Sequence, residues 1–153
     1  MSPLPAGSHL GGRYKARQNA DGTLDMFDVP IVSELAKGER QDLPDFEITP
    51  EWLQAALRKA QARSAIGYLP PLHVHHHDDK SPSPRAGFFQ PKRIGEMALD
   101  GRPVQTLFAD LLRIPKAVAD RVKAGELPYR SIEILNINAE PEIDSLALLD
   151  SQP

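Results

Sequence analysis

Residues 87–113 read GFFQPKRIGEMALDGRPVQTLFADLLR, and the pair Asp100-Gly101 at their centre decides the fold class. Such a pair suits a two-residue type I′ turn, which needs positive φ at both positions and matches the twist of antiparallel strands. Residues 95–99 and 102–113 are therefore expected to pair antiparallel, with 87–94 extended ahead of them.

Upstream, Leu72, Val74 and His76 alternate with His73 and His75, so Tyr68–His76 reads as a strand with the first three side chains on one face. Thr49-Pro50-Glu51 opens a helix: Thr49 is the N-cap, Pro50 fits the first helical position, and Glu51 sits at the positive end of the dipole. Trp52, Leu53, Ala56, Leu57 and Ala60 share its apolar face, and Gly67 marks its end. Residues 25–35 read as a first strand, with Phe27, Val29 and Ile31 on one side, broken at Pro30. Residues 37–45 are a polar loop, and 1–24 are expected to be a flexible leader outside the fold.

Downstream, residues 78–85 form a Ser/Pro/Asp loop. Pro115–Ala124 reads as a short helix, with Val118 and Val122 one turn apart and Gly125 closing it. Tyr129–Ile137 is a strand with Ile132 and Ile134 on one face and Tyr129, Ser131 and Glu133 on the other. Leu146–Leu149 is a last apolar strand, and 151–153 are a tail. The expected class is α+β: one domain over 25–150, with a mainly antiparallel, β-barrel-like core and a few surrounding helices.

Composition narrows the function. The 153 residues hold no cysteine, which removes thiolate metal sites, cysteine nucleophiles and disulfides together. Net charge is -3 and the 18 basic residues are scattered, so no nucleic-acid partner is expected. No apolar run approaches the ~20 residues that span a bilayer, so no membrane partner is expected, and the location expected is the cytoplasm.

Four of the five histidines fall in His73, His75, His76 and His77, followed by Asp78 and Asp79. One reading is a zinc-dependent hydrolase using His73, His75 and His77. A second makes one of them a general base; alternation selects His76, because it alone shares the face of Leu72 and Val74. A third is a solvated histidine-rich loop. Ser131 is the candidate nucleophile, and beside it Arg130 could hold an oxyanion or pair with Glu126 or Glu133.

The segment Pro71-Leu72-His73-Val74-His75-His76, with Asp78 and then Gly87, resembles the catalytic-histidine strand of herpesvirus assemblins and the related phage prohead proteases. Residues 108–112 (FADLL), the helix after them and 125–133 (GELPYRSIE) look like the stretch that leads into the catalytic serine of the phage enzymes. Residues 146–149 (LALL) are similar to the apolar strand that follows. The resemblance covers Phe27 to Asp150 in order.

It implies a serine endopeptidase, with His76 as base and Ser131 as nucleophile. Its substrates would be the scaffolding protein, the major capsid protein and the protease itself, cleaved inside the assembling prohead in the host cytoplasm. No cofactor is implied, a homodimer stays open, and a scaffold segment can follow the protease part. Assemblins use a second histidine after the serine and this chain has none there; Asp144 is the candidate third member, with Glu142 and Glu133 behind it. A non-catalytic assembly module that retains the fold is the rival from another class.

Overall fold

The computed structural model describes residues 14–42, 44–74, 85–127, 129–136 and 140–150. The strands are β1 (Lys15–Gln18), β2 (Leu24–Ser33), β3 (Pro71–Val74), β4 (Arg85–Leu99), β5 (Arg102–Ile114), β6 (Tyr129–Leu135) and β7 (Glu142–Leu149); the helices are α1 (Pro50–Ala65) and α2 (Lys116–Lys123). They form an α+β fold around one seven-stranded mixed sheet in the order β1-β2-β5-β4-β3-β7-β6. The hydrogen-bonded sheet does not close into a barrel; β1 and β6 are its edges. No helix among the described residues is long and apolar enough to cross a membrane.

The hairpin forms at Asp100-Gly101, both with positive φ (50° and 77°), and β4 pairs with β5 from Leu99↔Arg102 back to Phe88↔Leu112. Residues 87–94 thus belong to the same strand as 95–99. The one register shift falls between Pro91 and Arg93, where Pro91 has no N–H to give the ladder.

Three expectations change. The fold begins earlier than residue 25, because Lys15–Gln18 pairs with Leu24–Phe27 inside the stretch read as a leader. Pro30 does not break β2: it pairs with Phe108 beyond the point where β1 ends, so its missing N–H costs no bond to β1. The barrel-like closure is the third: the sheet stays open, and although its other five strand pairings are antiparallel as expected, β3 runs parallel to β7 in the register Leu72↔Leu146, His73↔Ala147, Val74↔Leu148, which makes it mixed.

α1 starts where its cap predicts, the Trp52 N–H donating to Thr49 Oγ1 at 3.1 Å, and buries Leu53, Ala56 and Leu57. Gly67, at φ 90°, turns the chain out of it towards β3. α2 presents Ala119, Val118 and Val122 to the core and ends at Gly125, φ 76°, whose N–H donates to Val122 O.

The core runs across β3, β7 and β6 on one face. Leu72, Leu146 and Ile132 share a rung there, and Val74, Leu148 and Arg130 share the next, all of them buried. Each buried aliphatic side chain stabilises by about 1.5–3 kcal/mol, so these rungs lock three short strands that have little other pairing.

Candidate active site

The opposite face of the same three strands holds the candidate site. β7 lies between β3 and β6, and its Ala147 pairs with His73 on one side and Ser131 on the other. Directly paired residues point to the same face, so the imidazole of His73 and the hydroxymethyl group of Ser131 flank a single methyl. Two strand spacings set their Cα atoms roughly 10 Å apart, a gap the two side chains can narrow by leaning over Ala147. No hydrogen bond joins them. Ser131 is 3% exposed, and its Oγ has no hydrogen-bond partner among the described residues.

Two residues along on this face, buried Ser145 of β7 pairs with partly exposed Glu133 of β6, and Pro71 of β3 shares the face by alternation with His73. Pro71 also pairs with Phe88 of β4. Beside that pair a cleft of about 450 Å³ opens, lined by Gly67, Tyr68, Leu69, Pro71, Phe88 and Arg113. The cleft and Ser131 therefore share one side of the sheet.

This register corrects how the base was chosen. The face of Leu72 and Val74 is the buried interior, whereas Ser131 lies on the other face with His73, because neighbours along a strand alternate. Sharing a face with Leu72 and Val74 is thus no ground for preferring His76. His75, His76, His77, Asp78 and Asp79 lie outside the described residues, so His73 is the described member of both the zinc set and the histidine cluster.

Arg130 does not reach the site. Its side chain projects to the interior, opposite to Ser131, and its Nε donates to the Pro30 carbonyl at 3.0 Å. Burial pushes its guanidinium down to about 10, partly offset by Tyr14, which also makes a side-chain hydrogen bond with it. The oxyanion role expected of Arg130 does not fit this position.

The three carboxylates also separate. Glu142 pairs with Leu135 at the far end of β7 and is engaged by Arg63 of α1 at 2.8 Å. Asp144, expected just before the last strand, lies inside β7 at the register shift between Ser145 and Ile143, three residues or roughly 10 Å along the strand from the Ala147 rung. Glu133 is the one on the face of Ser131, two residues away. Sequence reading overlooked Ala147; the signal was a small residue inside the apolar run 146–149, where a large side chain would separate the two flanking strands' side chains.

Compared with known proteins, the chain matches no family model, no curated protein and no solved structure.

Proposed function

We propose that the chain is a serine endopeptidase of phage prohead maturation, with Ser131 as nucleophile and His76, the residue named by the resemblance, as base. The observation that carries this reading is the buried Ser131 hydroxyl, without a hydrogen-bond partner among the described residues, on a rung shared with the strand that leads into the histidine run. A buried hydroxyl left unbonded costs about 1–3 kcal/mol, so each such group calls for an explanation, and a catalytic role is one. An assemblin-like architecture belongs to the same proposal, supported by the approach of β6 to β2 at Arg130 and Pro30.

The chemistry is acyl transfer to water. Ser131 Oγ attacks a peptide carbonyl while the imidazole takes its proton, and the tetrahedral intermediate collapses as that proton passes to the leaving amine. Water then repeats the sequence and releases the acid. Among the carboxylates weighed as orienters, position supports Glu133 over Asp144 and Glu142. The cleft between Tyr68 and Phe88 offers room for a substrate side chain on the same side of the sheet. Scaffolding protein, the major capsid protein's N-terminal segment and the protease itself are the proposed substrates.

The test is labelling with a fluorophosphonate, read by mass spectrometry, together with co-expression with the capsid and scaffolding proteins. Modification at Ser131 and cleaved partners are expected. A folded protein that neither labels nor cleaves would leave the non-catalytic assembly module as the better reading. Activity lost to EDTA and restored by zinc would move the chemistry to the histidines as metal ligands.

A further inference from the structure

We propose that Arg130 is a positioning residue: it clasps the edge strand β6 to β2 and so fixes the direction of Ser131. The inference rests on Ser131 being the nucleophile. Among the described residues β6 is an edge strand of the sheet and has ladder bonds to β7 alone. Towards the other end of the sheet order, the β1 pairing of β2 stops at Phe27, and Pro30 lies beyond it, where β2 comes close to β6. Arg130 Nε links the two strands with a 3.0 Å bond across 100 residues of sequence, and Tyr14, just ahead of β1, bonds the same side chain.

Arg130 and Ser131 are consecutive, so anchoring the first limits the backbone dihedrals that aim the second at the opposite face. A planar guanidinium suits this task because its donors reach separate acceptors at fixed angles, which a strongly hydrated ammonium does not reproduce. The choice is costly. A cation 1% exposed among Val74, Leu148 and Ile132 is harder to bury than methionine would be there, so stability alone does not explain an arginine at this position.

The experiment compares Arg130→Met, Arg130→Lys and Tyr14→Phe with the wild type by amide hydrogen exchange, thermal midpoint and rate of fluorophosphonate labelling at Ser131. Arg130→Met should speed exchange of the β6 amides about 10-fold or more while β4 and β5 keep wild-type protection. Labelling should slow by about 10-fold or more, with little change in the midpoint. Arg130→Lys should fall between, and Tyr14→Phe, which keeps the arginine, should shift both readings slightly in the same direction. Wild-type β6 exchange, or wild-type labelling, in a folded Arg130→Met protein would overturn the proposal. Should neither Arg130 variant fold, an unshifted Tyr14→Phe would overturn it. If β6 exchange responds but the wild type itself never labels, the clasp stands and the reading of Ser131 falls.

Discussion

β4 and β5 meet across a two-residue turn, whereas β3 meets β7 only after most of the remaining chain has passed. The first region is long, regular and local, and its register follows from the turn at Asp100-Gly101. The second is assembled from short strands whose order is not sequential, and it alone carries Ser131, Ala147 and His73 in a row. The hairpin follows from local sequence, whereas the composite ribbon carries the candidate site. Changes in the two regions should therefore be felt in different measurements.

The largest effect expected is on the ribbon. Ser131→Ala should abolish cleavage, a loss on the order of 10⁴ to 10⁶, with an unchanged circular dichroism spectrum and melting curve. Cleavage at the wild-type rate in that variant would remove the nucleophile from the row.

Next come the histidines taken one at a time. His76→Ala should match Ser131→Ala, and His73→Ala should lose about 10-fold through its place beside Ala147, while His75→Ala and His77→Ala keep most activity. Wild-type activity should rise through a pKa of about 6.5 as the base loses its proton. A His73→Ala protein as dead as Ser131→Ala, with an active His76→Ala, would make the row itself the catalytic pair.

How far the sequence could be read follows the same division. The Asp100-Gly101 turn, the Thr49 cap and the Gly125 stop are local signals, and each is where sequence reading puts it, because each depends on residues within one turn of chain. The face of Ser131 within its own strand was legible too, from Ile132 and Ile134 on the other side. What could not be read is which strand lies beside which: nothing near Leu72 or Leu146 announces a parallel pairing. The choice of His76 by its face therefore rested on one strand considered alone. The strand Lys15–Gln18 was missed because its four residues are all exposed and lack the alternation that marks a half-buried strand.

A smaller effect is expected in the hairpin. Gly101→Ala puts a Cβ into open space, but at φ 77° it meets the left-handed penalty of about 1–2 kcal/mol. The thermal midpoint should fall while activity per folded molecule stays the same; a proportionate loss of activity would tie the hairpin to the site more closely than the sheet order suggests.

The smallest effect concerns acid. Burial works to raise the Asp25 carboxyl, but the Arg113 N–H at 2.9 Å, Arg17 at 2.6 Å and Asn19 at 3.1 Å outweigh it and hold the group below its ordinary value. A lowered folded pKa contributes stability that is present above the unfolded value and lost as pH falls through the folded one. Asp25→Asn should therefore melt lower than wild type at pH 7, with the difference shrinking below about pH 4. A constant difference across that range would assign the loss to packing instead of charge.

The parallel pairing of β3 with β7 also bears on when the candidate site is assembled during synthesis. A growing chain can form the β4–β5 hairpin as soon as residue 114 has emerged, yet β3 and β6 have no strand between them until β7 follows. Long-range pairings of this sort form late and slowly. A nascent or prematurely terminated chain that lacks β7 would thus hold Ser131 without the neighbour that brings it beside His73. On the proposed function, a ribosome-bound chain would be silent towards the partners made alongside it, and cleavage would begin only with the docking of β7.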